Sequence, residues 1–228
     1  MDDASGGKGL AAMALKQQLE AFRAEFARTA PEGRVALYEA KIEELRASFA
    51  EDKAIGVGDR APGFALPGIA GRQVVLEDLL RQGPVVLTFY RGGWCPYCNF
   101  QLRAYQAALP QMVALGARLV AVSPQLPDNS LGTAEKNALT FDVLSDVGNV
   151  VARRYGLVYA LPHELREALR SNDKALSRIN GDESWELPVP ATYVIGEDGR
   201  VMLASLHIDY RTRLDPEAIL AALRTARS

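Results

Sequence analysis

The chain has 228 residues, with 26 lysines and arginines against 28 aspartates and glutamates and a formal net charge of −2. The basic residues are interspersed among acidic ones, which argues against a nucleic-acid partner. Hydrophobic residues make up 48% of the chain, enough for one domain with a buried core. The apolar stretch LAAMAL is too short for a signal peptide or a membrane span, so we expect a cytoplasmic protein without a membrane partner.

The N-terminal region predicts two helices. Its apolar residues recur at helical spacing: Leu15, Leu19, Phe22, Phe26, Val35, Tyr38, Ile42, Leu45 and Phe49. We therefore predict a helical hairpin over 15–52, preceded by a flexible terminus over 1–14. The spacing of Thr29 and Glu32 predicts a capping box at the second helix. The apolar stripes must be covered, and we expect the main domain to cover them; a homodimer contact is the alternative.

Strands and helices alternate over the remainder, 53–228. The continuous apolar run PVVLTFY predicts a strand buried on both faces, and ARLVAVS predicts a second one. Helices are predicted over 96–115, 133–139 and 149–155, and a last helix should begin at Pro216 with Asp215 as its cap. The segment PATYVIGEDGRVMLASL predicts two more strands joined by a turn. The pattern indicates an α/β fold with a central mixed β-sheet flanked by helices.

The sequence contains no metal-site or cofactor motif. A closed zinc site needs four ligands, and the cysteine pair supplies only two. His163 and His207 are far from the pair and from each other, and His207 is expected to end a strand. No P-loop, nicotinamide or flavin fingerprint is present. We therefore expect no metal and no cofactor, with electrons supplied by another thiol system.

The stretch FYRGGWCPYC contains both cysteines of the chain, Cys95 and Cys98. Cys95 lies where a buried strand gives way to a helix, and Pro96 favours the first helical position, which makes Cys95 the N-cap. The helix dipole and the free backbone N–H groups favour a thiolate there. We therefore expect Cys95 to be the more acidic thiol and to attack. Cys98, one turn later, is expected to resolve by forming a disulfide with it.

Three further residues are placed beside the pair. Trp94 and Tyr97 are expected to shield the sulfur from water and to offer a flat apolar surface to a partner or substrate; ordinary packing at the rim is the alternative. Pro190 directly precedes a predicted strand. Because proline cannot donate a ladder hydrogen bond, it belongs at the start of that strand.

Several motifs resemble the thioredoxin superfamily: FYRGGWCPYC, VPATYVI and the terminal helix. Others are similar to its alkyl hydroperoxide reductase and thiol-specific antioxidant (AhpC/TSA) branch, the peroxiredoxin-like proteins: GDRAPGFALPGIAGRQVVLEDLL, AVSPQLPDNS and LTFDVLSDVGNVVARRYGL. The resemblance covers about 56–226. It implies a thioredoxin-like fold and thiol-based reduction of peroxides or disulfides, with Cys95 as the peroxidatic cysteine, Cys98 as the resolving cysteine and Pro190 as a cis-proline facing them. It also implies a thioredoxin-, glutaredoxin- or glutathione-type reductant.

The chain departs from the peroxiredoxin pattern at two positions. Gly92 stands where those proteins carry a threonine or serine that hydrogen-bonds the peroxide. Pro190 stands where they carry an arginine that stabilises the thiolate. Arg91 is the candidate to replace that positive charge, and a solvent-facing arginine is the alternative.

The segment over 161–185 is an insertion before the Pro190 strand and predicts a charged helix and a loop. We expect solvated packing there, with a substrate rim as the alternative.

Three functions follow from the sequence. The first is a thiol peroxidase that reduces hydroperoxides through Cys95 and Cys98. The second is a thiol-disulfide oxidoreductase that acts on protein or glutathione disulfides. The third is a non-enzymatic redox sensor whose cysteines report oxidation to a partner.

Overall fold

The computed structural model describes residues 14–69 and 71–225. The helices within these ranges are α1 Leu15–Thr29, α2 Arg34–Ser48, α3 Leu76–Leu80, α4 Pro96–Ala114, α5 Pro127–Lys136, α6 Val150–Arg154, α7 His163–Arg170, α8 Leu176–Asn180 and α9 Pro216–Thr225. The strands are β1 Ala65–Pro67, β2 Gln73–Val75, β3 Val85–Phe89, β4 Arg118–Ser123, β5 Asp142–Ser145, β6 Val158–Ala160, β7 Glu186–Pro188, β8 Ala191–Ile195 and β9 Val201–Leu206. The flexible terminus predicted over 1–14 lies outside the described residues, except for Ala14.

Five strands form the central sheet in the order β5-β4-β3-β8-β9. Strands β3, β4 and β5 run parallel, whereas β8 is antiparallel to both β3 and β9. Every residue of β3 and β8 is buried, as the continuous apolar runs predict for central strands. The mixed sheet flanked by helices is therefore confirmed, and it has the thioredoxin-like architecture.

Successive residues of β3 point to opposite faces of the sheet, and each face carries its own apolar cluster. Val86 packs in the cluster that includes α4 and α9, whereas Leu87 and Phe89 pack in the cluster on the other face. Helix α4 begins within the cysteine motif, at Pro96, and carries Cys98. The sheet therefore fixes the position of that motif through the buried face of α4.

A buried polar network also ties α4 to the middle of the sheet. The Thr88 and Thr192 hydroxyls lie 3.0 Å apart on the paired strands, and Gln101 Nε2 donates to Thr88 Oγ1 at 3.2 Å. The Tyr105 hydroxyl lies 3.1 Å from Thr192 Oγ1 and donates to the Leu214 carbonyl at 3.2 Å. Because buried polar groups are costly without partners, this network holds one register between α4, the sheet and the segment before α9.

The N-terminal hairpin packs on the main domain. Helix α1 contacts α4, and Leu15 and Leu19 are buried in the same cluster as the α4 residues. The capping box predicted between the helices is wrong: the Thr29 hydroxyl donates to the Glu25 carbonyl, and α2 begins after Gly33, whose φ is +74°. Gly33, in the left-handed backbone conformation, therefore begins the helix without a side-chain cap.

The other predicted elements agree with the structure to within a few residues, except for α5. That helix begins at Pro127, six residues before its predicted start, because a proline occupies its first position. The Asp215 cap is confirmed, since its carboxylate accepts from the Glu217 N–H at 2.9 Å. No helix within the described residues is long and apolar enough to cross a membrane.

The burial pattern of α4 predicts different effects for two substitutions on the same helix. Leu102 is fully buried in the core, whereas Val113 is 55% exposed. Leu102→Ala should lower the free energy of unfolding by about 2–5 kcal/mol, because it leaves a cavity in a packed core. Val113→Ala should change it by less than about 0.5 kcal/mol. Urea unfolding followed by circular dichroism measures both, and equal effects would contradict this packing.

Candidate active site

The backbone places Cys95 where the sequence predicted. Cys95 is the N-cap of α4 with φ −90° and ψ 114°, and Pro96 occupies the first helical turn. The Cys95 carbonyl accepts from the N–H groups of Cys98 and Asn99 at 3.1 and 3.2 Å. The Cys95 side chain, however, makes no capping hydrogen bond to the start of the helix. The N–H groups there do not stabilise its sulfur in the expected way.

The loop before Cys95 requires glycine. Gly92 has φ +138°, and a Cβ there would lie 2.4 Å from Nε1 of Trp94. A Cβ on Gly93 would lie 2.1 Å from Oγ1 of Thr133, and the Gly93 N–H donates to Oε1 of Gln125 at 2.7 Å. Gly92 therefore replaces the hydroxyl residue of peroxiredoxins because the Trp94 indole occupies the space that a side chain would need.

The two thiols are free and buried, and a guanidinium contacts one of them. Cys95 is 1% exposed and Cys98 is fully buried. Nη2 of Arg213 lies 3.2 Å from the Cys98 sulfur and donates a hydrogen bond to it. Arg213 is itself 9% exposed. A charge-assisted hydrogen bond in so buried a site stabilises a thiolate strongly.

The contacts of the two sulfurs favour the opposite order of acidity to the one expected from the helix N-cap. Burial alone would raise the pKa of Cys98, but the hydrogen bond from Cys95 and the charges of Arg213 and Arg91 outweigh it and hold that pKa well below its usual range. Burial and the neighbouring sulfur raise the pKa of Cys95. With Arg213 in contact with its sulfur, Cys98 is thus favoured over Cys95 as the site of the negative charge.

Arg91 is buried, so the solvent-facing alternative is wrong. Its guanidinium lies over two rings, with Cζ 5.0 Å from the centroid of Trp94 and 4.1 Å from that of Tyr210. Its charge lowers the pKa of both Cys95 and Cys98. Stacking on aromatic faces compensates part of the cost of burying a guanidinium.

Pro190 precedes β8 as expected, but its peptide bond is not cis, because the described residues contain no cis peptide bond. The Val189 N–H donates to the Leu157 carbonyl at 2.8 Å, and the Pro190 carbonyl accepts from His207 at 2.9 Å. The chain thus continues in extended form from β7 into β8. With no turn to make there, the trans bond is the lower-energy form.

Several hydrogen bonds fix the turn that carries Arg213. Nη1 of Arg213 donates to the carbonyls of Tyr210 and Thr212. Nδ1 of His207, which directly follows β9 as predicted, lies 3.0 Å from Oγ1 of Thr212. Burial and the charge of Arg213 lower the pKa of His207 to about 4, so the imidazole is neutral at neutral pH. Arg213 could not be identified from the sequence, because neither spacing nor composition distinguishes it from Arg211.

Tyr97 and Trp94 both pack beside the sulfurs. The Tyr97 ring makes edge contacts with Phe22 of α1 and with Tyr210, at centroid distances of 5.1 and 5.8 Å. Trp94 contacts two apolar clusters and stacks with Arg91. Helix α1 therefore covers Tyr97, and the hairpin lies over the cysteine motif.

A cavity of about 540 Å³ lies between the hairpin and the cysteine motif, and Cys95 is one of its lining residues. The segment over 161–185 forms another wall, with Leu165 and Leu169 facing the cavity. Polar contacts join this segment to the hairpin: Lys41 Nζ lies 2.7 Å from Glu164 Oε1, and Arg34 donates to the Ala168 carbonyl. The insertion is therefore a rim of the candidate site.

The family model, the relatives and the solved structure that resemble this chain all point to one protein family. Residues 57–204 match the model of the AhpC/TSA family. The chain is 28% identical over 160 residues to peroxiredoxin Q of Sedum lineare, covering 70% of this chain and 71% of that one. It is 32% identical over 100 residues to peroxiredoxin Bcp of Escherichia coli, covering 44% and 64%. The structure of peroxidoxin BcpB from Mycobacterium tuberculosis superposes with a TM-score of 0.61 at 24% identity, covering 76% of this chain and 99% of that one. The chain therefore belongs to the AhpC/TSA family and is a thiol-dependent peroxidase of the peroxiredoxin type.

Proposed function

We propose that the Cys95–Cys98 pair reduces hydroperoxides, with Cys95 as the attacking sulfur and Cys98 as both its proton acceptor and the resolving sulfur. The observation that carries this proposal is the 3.2 Å contact between Arg213 and the Cys98 sulfur. It supports a pair that carries one negative charge at neutral pH and shares one proton. Such a pair supplies a thiolate without an external base.

The attacking role of Cys95 rests on access. Cys95, although only 1% exposed, lines the cavity under the hairpin, whereas Cys98 is fully buried and does not line it. A peroxide in the cavity therefore meets Cys95 first. Because the low pKa of Cys98 keeps it deprotonated at neutral pH, its thiolate is available to accept the Cys95 proton as the new S–O bond forms, and it acts as a general base.

The proposed reaction balances in two steps. In the first, the Cys95 proton moves to Cys98, the Cys95 sulfur attacks the terminal oxygen of ROOH, and the O–O bond breaks. Cys95 becomes a sulfenic acid, and the departing RO⁻ takes the proton from Cys98 to leave as ROH. In the second, the Cys98 thiolate attacks the Cys95 sulfur, which forms the disulfide and releases hydroxide.

Two arginines supply the positive charge for this chemistry. Arg91 and Arg213 both lower the pKa of the pair, and the reduced pair carries only one negative charge. The surplus positive charge favours the second negative charge that develops on the departing oxygen. Arg91 lines the cavity beside Cys95. We therefore assign it the departing oxygen, and Arg213 the thiolate.

A dithiol reductant of the thioredoxin type would close the cycle by reducing the Cys95–Cys98 disulfide. Attack at Cys95 would release Cys98 as the leaving thiolate, and the low pKa of Cys98 makes it a good leaving group. Reduction by glutaredoxin or glutathione alone, with no response to a thioredoxin, would contradict this assignment.

Arg213 is the first residue to test. Because Arg213 lowers the pKa of Cys98, Arg213→Gln should raise it, so the thiolate fraction at neutral pH falls and recovers as the pH rises. Peroxide consumption near pH 7 should drop about a hundredfold, and the deficit should shrink in alkaline buffer. Thiolate absorbance and activity, both followed against pH, measure these effects.

Two variants complete this test. Arg213→Lys keeps a charge and should recover part of the loss. Arg224→Gln removes an exposed arginine that pairs with Glu217 on α9, and it should behave like the wild type. An Arg213→Gln defect that is equal at every pH would assign Arg213 a merely structural role.

The different roles of the two cysteines predict different effects for their serine variants. Cys95→Ser should lose hydroperoxide consumption, because the remaining Cys98 thiolate lies behind the cavity. Cys98→Ser should slow oxidation of Cys95 by about a hundredfold, since the proton acceptor is gone, and should let Cys95 accumulate as sulfenic or sulfinic acid. Stopped-flow kinetics with intact-mass analysis gives both results. Faster oxidation in Cys95→Ser than in Cys98→Ser would reverse the roles.

A further inference from the structure

The cysteine motif itself leaves few hydrogen-bond donors for a peroxide. Gly92 has no side chain, and Pro96 has no backbone N–H. The Cys95 N–H donates to the Gly92 carbonyl at 3.1 Å, and the Gly93 N–H donates to Oε1 of Gln125 at 2.7 Å. Negative charge develops on the departing oxygen during the attack, and a donor aimed at that oxygen lowers the barrier. A side chain from another wall of the cavity is therefore needed as this donor.

Tyr159 reaches the cavity from strand β6. It lines the cavity together with Cys95 and Arg91, and it is only partly buried. Its ring packs against the apolar cluster that contains Leu187, and Trp94 packs against the same cluster. The Tyr159 side chain therefore lies beside the cysteine motif, with part of its surface accessible.

Main-chain hydrogen bonds fix the position of Tyr159. Strand β6 pairs antiparallel with β7, and Tyr159 lies opposite Leu187 in that pair. The N–H of Leu161, directly after β6, donates to the Trp185 carbonyl at 2.9 Å. A donor held in this way needs little rearrangement when charge develops beside it.

The electrostatics place the Tyr159 hydroxyl close to the reacting groups. Burial raises the pKa of Tyr159, the charge of Arg91 lowers it, and Cys95 and Cys98 raise it. The hydroxyl therefore keeps its proton at neutral pH and can donate it in a hydrogen bond. Because these charges act on the hydroxyl, it lies within electrostatic reach of both sulfurs and of Arg91.

We propose that the Tyr159 hydroxyl donates a hydrogen bond to the departing oxygen of a peroxide at Cys95. The proposal rests on the proposed function and adds a catalytic residue to it. The hydroxyl keeps its own proton, and the departing oxygen still receives its proton from Cys98. Arg91 supplies the positive charge, and Tyr159 adds the direct hydrogen bond.

The leaving group of the peroxide reveals such a hydrogen bond. Hydrogen peroxide releases hydroxide, the conjugate base of water, whose pKa is about 15.7. Peracetic acid releases acetate, and a carboxylic acid has a pKa of about 4. The departure of hydroxide therefore depends far more on a hydrogen-bond donor than the departure of acetate does.

Tyr159→Phe keeps the ring and removes the hydroxyl. The second-order rate of Cys95 oxidation by hydrogen peroxide should fall about a hundredfold, whereas the rate with peracetic acid should fall less than about threefold. Stopped-flow kinetics of the reduced protein measures both rates. Equal losses with the two peroxides would assign Tyr159 a merely structural role and overturn the proposal, and so would two unchanged rates.

The matched control is Tyr193→Phe, the same chemical change on the other face of the sheet. Tyr193 belongs to the apolar cluster on that face, and its buried hydroxyl has no hydrogen-bond partner among the described residues. The control should keep the wild-type rates with both peroxides. Tyr210→Phe removes the other tyrosine hydroxyl beside Arg91. A loss confined to hydrogen peroxide in Tyr210→Phe, with none in Tyr159→Phe, would overturn the assignment to Tyr159.

The same rates separate this inference from the proposed function. If neither peroxide oxidises Cys95 in the wild type, the proposed function fails and the assignment of Tyr159 fails with it. If both peroxides oxidise Cys95 in the wild type but Tyr159→Phe reacts equally fast with hydrogen peroxide, the assignment of Tyr159 fails alone.

Discussion

The hydrogen bond from Arg213 to the Cys98 sulfur is the interaction on which the rest of the site depends. It places a fixed positive charge against a fully buried thiol, and such a thiol would otherwise remain protonated. Arg213 can serve this purpose because its own turn is fixed: backbone carbonyls accept from its guanidinium, and the Tyr105 hydroxyl on α4 holds the next residue, Leu214. The helix that carries the sulfur thus also anchors the arginine.

The helix N-cap, Cys95, was expected to combine two properties: the lower thiol pKa and access to the peroxide. In this arrangement they belong to different cysteines. The contact with Arg213 favours the thiolate on Cys98, while the sulfur that lines the cavity is Cys95. Proton sharing between the sulfurs connects the two, because a small shift of the proton exchanges the thiolate between them. The hairpin contributes the other requirement of peroxide chemistry, since it covers the motif and separates it from bulk water, where charge stabilisation is weaker.

The fold was predictable because apolar periodicity and proline positions are local signals. The mixed sheet, the hairpin and the start of α4 at Pro96 all follow from such patterns. The charge distribution of the site was not predictable, because it depends on contacts between distant segments. Arg213 lies 115 positions after Cys98, and no local pattern marks it. The trans bond at Pro190 was also not predictable, because the residues around it resemble a motif in which that bond is cis.

In the proposed mechanism, the sulfur of Cys95 takes the oxygen while the sulfur of Cys98 takes the proton. This assignment is tested most directly by locating the sulfenic acid in the unmodified chain. Reduced protein would receive one equivalent of cumene hydroperoxide in the presence of a large excess of a cyclic diketone that captures sulfenic acids, and peptide mass spectrometry would locate the adduct. We expect an adduct on Cys95, with the remaining protein as the Cys95–Cys98 disulfide. An adduct found mainly on Cys98 would contradict it.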